Sequence, residues 1–214
     1  MPNAAFVVAA QQRLALSFPR PMRCNCDLTK LVHDAQHAHV CPFIRKNAGY
    51  LRHQMVLSGL REACNECAAP NTIRDHSLKR AQNEREIQPD LFVHKGNASF
   101  MIDVSVVHPA ADSYARGASR VATYAARLRE NDKTRKYKAL ADRNGFTFVP
   151  FVMETTGVGA MGVEALRFLS MLSEDADHPA SFLRNAKRRL AIALQRGNFR
   201  VVREGFQNLR DSDL

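Results

Sequence analysis

Apolar positions recur at helical spacing through residues 4–17, where Ala4-Ala5-Phe6-Val7-Val8-Ala9-Ala10 opens a run that Pro19 and Pro21 stop. A loop rich in Cys, His and Asp then runs to Pro42. From Phe43 to about Cys67 the pattern returns: Tyr50, Met55, Val56, Leu57, Leu60 and Ala63 predict a second helix. Residues 68–88 are polar and read as a linker or mobile loop. Two short β-type runs follow, Leu91–His94 and Phe100–Val107. After Pro109, the Ala- and Arg-rich stretch Ser113–Ala141 predicts helix with a break at Asn131-Asp132. Phe146–Met153 predicts a further strand, and residues 160–173 and 180–196 predict two closing helices. The order is a helical, metal-binding module over 1–67, a linker over 68–88 and an α/β domain over 89–214.

Composition fits this reading. Hydrophobic residues make up 45% and charged residues 24%, enough to bury a core, which excludes a wholly disordered chain. No apolar run approaches the roughly 20 residues that span a bilayer, so no membrane partner is expected. Lys and Arg total 31 against 21 acids, a net charge of +10, which favours a polyanionic partner, nucleic acid first.

All five cysteines lie between positions 24 and 67. A secreted disulfide scaffold would spread an even number through a shorter chain, so the clustering points to metal in a reducing compartment. Cys24-x-Cys26 and His37-x-x-x-Cys41 supply the four soft ligands that a tetrahedral zinc ion takes. His33 and His39 compete with His37 for the third place. Cys64-x-x-Cys67 sits on a predicted helix without obvious partners and reads as a pair of buried thiols.

A second constellation joins Pro89-Asp90 to Asp103 across twelve residues. Gly96-Asn97 between the two runs suits a two-residue hairpin turn. Pairing then joins Lys95 to Ala98 and His94 to Ser99, and carries Asp90 opposite Asp103 on one face, Cβ atoms roughly 5 Å apart. Facing carboxylates among apolar neighbours require positive charge between them. A divalent oxygen-loving ion such as Mg²⁺ supplies it; a Lys or Arg partner is the other way to satisfy them.

These residues together resemble the restriction-like endonuclease, of PD-(D/E)XK type, carried by site-specific non-LTR retrotransposons. The likeness rests on Pro89-Asp90, Asp103 and an Ala-rich helix ending in Lys133-x-x-Lys136-Tyr137. It extends upstream to Cys24-x-Cys26, His37-Ala38-His39-Val40-Cys41 and Arg52-His53. Downstream it takes in Val107-His108-Pro109, Gly145-Phe146, Pro150-Phe151-Val152, Glu154-Thr155 and Gln195-Arg196-Gly197-Asn198. It spans roughly residues 6–200. It implies a mixed sheet flanked by helices, with Asp90, Asp103 and the Val104 carbonyl holding Mg²⁺ or Mn²⁺. The superfamily's lysine two residues after the second acid is replaced here by Ser105, and the resemblance moves that role to Lys133 or Lys136, with Tyr137 on the same helical face. It also implies a zinc knuckle at Cys24, Cys26, His37 and Cys41, DNA as substrate with element RNA as a further ligand, a reverse transcriptase acting in trans, and hence a nuclear location. The acid-free segment 1–26, with Arg13, Arg20 and Arg23, leaves a mitochondrial presequence as the alternative.

Basic side chains fall in two helical regions, Arg116, Arg120, Arg127 and Arg129 in one and Arg188 and Arg189 in the other. They suit salt-sensitive contacts to phosphates, against scattered solubilising charge. Gly157-x-Gly159-x-x-Gly162 mimics a dinucleotide fingerprint, but no strand ending in an acid is predicted after it. No nucleophile elbow for a hydrolase is present. The sequence thus reads as a metal-dependent DNA endonuclease that nicks phosphodiester bonds, the alternative being an inactive zinc-containing nucleic-acid-binding protein of the same ancestry.

Overall fold

Gly96 adopts φ +55°, a left-handed conformation that costs glycine nothing, and it turns the chain between β4 (Leu91–Lys95) and β5 (Ala98–Val107). The register is Leu91 to Ile102, Phe92 to Met101 and so on to Lys95 and Ala98, as the two-residue turn dictates. The computed structural model describes residues 3–14, 16–17, 21–24, 26–33, 36–72, 78, 88–156 and 161–206. Upstream of the ribbon come α1 (Asn3–Leu14), β1 (Met22–Cys24), β2 (Asp27–Val32), α2 (Gln36–Val40), α3 (Pro42–Glu66) and β3 (Asn71–Thr72). Downstream lie α4 (Asp112–Ala118), α5 (Tyr124–Arg143), β6 (Thr147–Glu154), α6 (Val163–Ser173) and α7 (Pro179–Gly205).

The main sheet has the order β3-β4-β5-β6, antiparallel except for the parallel β5–β6 pair, whose crossover is α4 and α5. It is a mixed sheet flanked by helices, the α/β class that the residue pattern predicts. Alternation along β5 separates two faces. Ile102 and Val104 join the large core with Leu91, Val93, Phe151, Leu169 and Leu190. Met101 and Val107 face the other way, toward Tyr137, Leu140, Ala125 and Ala126 of α5. Asp103, odd-numbered, therefore lies on the α5 side, and Asp90 shares that side with Phe92.

Two buried carboxylates set helix starts. Thr123, at φ +57° before α5, offers no side-chain cap, and Glu154 Oε1 accepts the Ala126 N–H at 3.0 Å instead. Glu130 Oε1 likewise accepts the Glu164 N–H at 3.0 Å at the start of α6. Negative charge there complements the helix dipole. A Cβ on Gly162 would stand 2.0 Å from Glu130 Oε1, so this glycine makes room for a carboxylate. Gly157 and Gly159 lie outside the described residues, and α6 leads to α7 rather than to a strand.

Several expectations need correction. Asn131-Asp132 does not break the helix; α5 runs through it, and the break falls at residues 119–123. Both are exposed, where their poorer propensity costs only a few tenths of a kcal/mol, and Asp132 pairs with Arg135 one turn on. The loop expected before Pro42 contains the β1–β2 hairpin and α2. The linker's start carries β3, a two-residue edge strand on β4, while its residues 73–77 and 79–87 lie outside the described residues.

The long helices α3 and α7 pack along each other, and Gly197 allows close approach: a Cβ there would meet the Arg52 Cα at 2.9 Å. The last turns of α3 (Val56, Leu57, Leu60, Ala63, Cys64) belong to the large core. Its first turns (Ile44, Ala48) join a small core with Val8, Met22, Val32, Val201, Val202 and Phe206. Cys64 and Cys67 are buried in the large core, and burial pushes the Cys64 thiol up to about 12, as the reading of inert thiols expects. Among the described residues no helix is long and apolar enough to cross a membrane.

Candidate functional site

Just before β4 the Asp90 N–H donates at 3.0 Å to the Ile102 carbonyl, which already faces Leu91, so the ladder steps out of register there instead of pairing Asp90 directly with Asp103; the two carboxylates still lie near each other. Asp90 Oδ2 accepts the Val104 N–H at 2.7 Å. Burial and then the neighbouring Asp103 charge push the Asp90 carboxyl up to about 6, against the Val104 N–H and Lys133. Asp103 is 3% exposed, and both its oxygens meet Lys133 Nζ, at 2.9 and 2.8 Å; the Ser105 hydroxyl donates to Oδ2 at 3.3 Å.

Lys133 is thus the lysine that the fold brings to the carboxylates. Lys136, three residues on, is exposed, its Nζ 5.0 Å from the centre of the Tyr137 ring. Tyr137 is buried, stacks on Phe148 and hydrogen-bonds to Asp103; burial and then that carboxylate hold its phenol above the usual range, so it stays protonated. His53 completes the cluster from α3. Its Nε2 stands 3.2 Å from Asp90 Oδ1 but off the line that a hydrogen bond needs. Burial lowers the imidazole pKa, the Asp103 charge opposes this, and Lys133 and Arg52 add to the lowering, so the ring is neutral at pH 7.

The second cluster lies on the small core. The ligand atoms of Cys24, Cys26, His37 and Cys41 all fall within 4.8 Å of one another. Cys24 Sγ and Cys41 Sγ are 3.9 Å apart, and Cys26 Sγ is 3.5 Å from His37 Nε2. Tetrahedral zinc with Zn–S bonds near 2.3 Å would separate two sulfurs by roughly 3.8 Å. The four residues can therefore hold zinc. Burial pushes the Cys24 thiol up to about 12, and neighbouring Cys41 and Cys26 add to the rise. Burial also raises Cys41, but the N–H groups of Ile44 and Phe43 at the start of α3 help to reverse this, and its pKa falls.

Of the competing histidines, His33 is exposed and His39 is buried elsewhere. His39 Nδ1 accepts from Arg52 Nη1 at 2.9 Å, and Nε2 meets the Gln12 amide. Burial, then Arg52 and His108, keep His39 neutral. The Arg52 guanidinium also donates to Asn198 Oδ1, and Asn198 Nδ2 donates to the Thr155 carbonyl at 2.8 Å. His108 Nδ1 meets the Thr155 hydroxyl at 2.7 Å. Arg52, His108, Thr155 and Asn198 thus converge from four distant motifs. Spacing along the chain gives no means of joining them, nor of bringing His53 to Asp90.

The expected nucleic-acid residues divide. Arg116, Arg120 and Arg127 are exposed, Arg127 lying over the Tyr124 ring. Arg129 is half-buried on α5. Arg188 is exposed on α7, while Arg189 is engaged by Glu62 and Glu66 of α3.

No protein-family model matches the chain. Over 166 residues, 72% of the chain, it is 27% identical to the "Retrotransposable element SLACS 132 kDa protein" of Trypanosoma brucei gambiense. The match spans 13% of that protein's length, so the chain is similar to one segment of a much longer retrotransposon protein.

Proposed function

We propose that the chain is a retrotransposon-derived, metal-dependent DNA endonuclease that nicks phosphodiester bonds. The observation that carries this is the closeness of the Asp90 and Asp103 carboxylates at the end of one β-ribbon, with Lys133 on Asp103. The donor set fits a hard divalent cation: carboxylate oxygens that burial, and then the charge of Asp103 on Asp90, make costly to ionise together, a cost that a cation would relieve. Mg²⁺ or Mn²⁺, when bound, supplies Lewis-acid polarisation of a phosphate and lowers the pKa of water. Asp90 and Asp103 concentrate negative charge where that ion would sit, and the Val104 N–H orients one Asp90 oxygen. Lys133 presents a cation to charge developing on a phosphoryl oxygen, and neutral His53 is a proton acceptor at the edge of the cluster. Tyr137 stays a hydrogen-bond donor; Lys136 serves a solvated basic face.

Zinc at Cys24, Cys26, His37 and Cys41 would hold the small core, whose residues come from 1–67 and from the end of α7, while the end of α3 packs into the large core of the proposed nuclease domain, 89–214. Arg116, Arg120, Arg127, Arg129 and Arg188 would contact phosphates. A nuclear site of action and a reverse transcriptase acting in trans follow from the same reading, which the likeness to a retrotransposon protein supports.

The test is nicking of supercoiled plasmid by the zinc-loaded chain in Mg²⁺. Asp90→Asn and Asp103→Asn should each abolish it while leaving the chain folded. Equal nicking by parent and both variants would overturn the reading. A second reading, a nucleic-acid-binding protein without cleavage, is favoured by one observation: Lys133 and the Val104 N–H already satisfy the carboxylates from within the chain. Salt-dependent DNA binding by a parent that never nicks would support it.

A further inference from the structure

Beyond the carboxylates, at the end of β5, the fold encloses a cavity of about 570 Å³. Its walls include His39 of α2, Arg52 of α3, His108 after β5, Asp112 and Tyr114 of α4, and Arg129 of α5. Two guanidinium groups face one carboxylate, and that carboxylate, Asp112, is exposed and screened by solvent. The deep wall is fixed in place: Arg52 by His39 and Asn198, His108 by Thr155. Arg129 lines the same space, and its Nε is buried and has no hydrogen-bond partner among the described residues. An unmet buried donor is costly, more so when charged, so the site suits an acceptor brought by a ligand.

The position of that acceptor relative to the carboxylates follows from α5. Arg129 and Lys133 are four residues apart on one helical face, about 6 Å along the axis. Lys133 lies on Asp103, and β5 runs from Asp103 past the same helix to Val107 and His108. The cavity is therefore the next station along the face that carries the carboxylate pair.

We propose that this cavity is a phosphate-binding subsite, taking a phosphodiester of a nucleic-acid strand next to the one that meets Asp90 and Asp103. A guanidinium presents forked donors that match phosphate oxygens, and Tyr114 lines the same space. The volume accommodates a phosphate with part of its sugar. The subsite rests on the nucleic-acid reading for the source of the phosphate, not for the chemistry of the pocket, since a free nucleotide carries the same group.

The zinc-loaded full chain, without added Mg²⁺, is titrated with a labelled DNA duplex over a range of salt. Arg129→Gln should weaken binding at least fivefold and reduce the slope of log affinity against log salt by about 1. Arg167→Gln, an exposed arginine paired with Glu164 on α6, should change affinity less than twofold. Arg129→Lys should keep the slope while binding more weakly, which separates lost charge from a failure to fold. In a second arm, inorganic phosphate and a mononucleotide are titrated while the His108 and His39 ring resonances are followed. Saturable shifts that vanish in Arg129→Gln support the subsite. If they occur below millimolar concentration while the DNA slope is unchanged in the variant, the phosphate's source is a free nucleotide. An unchanged slope in Arg129→Gln, together with resonances that phosphate does not move in the parent, overturns the proposal. Because no step requires cleavage, a parent that never nicks leaves this result standing.

Discussion

The two ligand clusters solve the problem of gathered negative charge in different ways. At Cys24, Cys26, His37 and Cys41 three sulfurs and an imidazole converge, and burial, with Cys26 and Cys41 adding to it, pushes Cys24 to about 12. At Asp90 and Asp103 the chain supplies its own cation, Lys133, and a peptide N–H. The surroundings differ in the same sense. The small core beside the sulfurs is built mainly of valines, alanines and single large side chains such as Ile44 and Phe206. The carboxylates sit on a ribbon whose other face is the large core. The cluster that could hold zinc therefore borders the smaller core, whereas the cluster proposed to do chemistry stands on the larger one.

Removing the ion is the harshest way to test that contrast. Stripping zinc, or Cys41→Ser, should unfold the small core; free-standing zinc modules draw about 10–16 kcal/mol from the metal, and several kcal/mol is expected here because α3 and α7 are anchored elsewhere. Hydrogen exchange should accelerate across residues 22–48 while β4 and β5 stay protected. Full protection of 22–48 in the stripped chain would break the comparison. Withdrawing Mg²⁺, by contrast, should leave exchange at both cores unchanged.

The internal cation comes next. The side chains of Lys133 and Asp103 are 14% and 5% exposed, so losing the ammonium leaves a buried carboxylate without its partner. Lys133→Met should cost about 3 kcal/mol at neutral pH, read by urea denaturation. The double variant Lys133→Met, Asp103→Asn should recover most of it. A single variant as stable as the parent would mean that the pair is solvated, and the claim of internal neutralisation would fall.

How much of this was legible differs between the clusters for physical reasons. The ribbon register from Leu91 to Lys95 follows from Gly96-Asn97 and from the two-residue period of a strand, so the approach of Asp90 to Asp103 is legible in the sequence, whereas the irregular step at Asp90 itself is not. The zinc set was legible except for its histidine: positions 37 and 39 lie about 200° apart on a helix, and only packing shows which of them faces the cysteines. The helix break was misplaced because exposed Asn and Asp are tolerated within a long helix, whereas the break at 119–123 is fixed by Glu154 capping from β6. The two-residue β3 carries too little periodicity to be seen. His53, Arg52, His108 and Asn198 were visible as motifs, but their convergence depends on the crossing of α3 and α7 at Gly197, which no spacing along the chain encodes.

Asp90 gives a smaller effect with a defined sign. Its carboxyl sits at about 6 in the fold against 3.8 for the free side chain, so the native state binds the extra proton. Stability from this group is fully present below pH 3.8 and is lost as pH rises through about 6. Two pK units correspond to about 3 kcal/mol; with the side chain 23% exposed, about 2 kcal/mol is expected. Asp90→Asn should therefore gain on the parent by that amount between pH 4 and pH 7.5 without added Mg²⁺, measured by denaturant midpoints. A difference that is flat with pH would show that neither burial nor the Asp103 charge raises Asp90.

The smallest effect separates the two lysines. Lys136 is exposed, with its Nζ over the Tyr137 ring, whereas Lys133 lies against Asp103. Lys136→Gln should change stability by less than about 0.5 kcal/mol, as exposed substitutions usually do, and should slow nicking no more than the loss of one phosphate contact would. Lys133→Gln should lose nicking altogether. If the two variants instead fall equally in plasmid nicking at matched stability, the ammonium on Asp103 is only a structural counter-charge, and the helix supplies its catalytic cation from the exposed face.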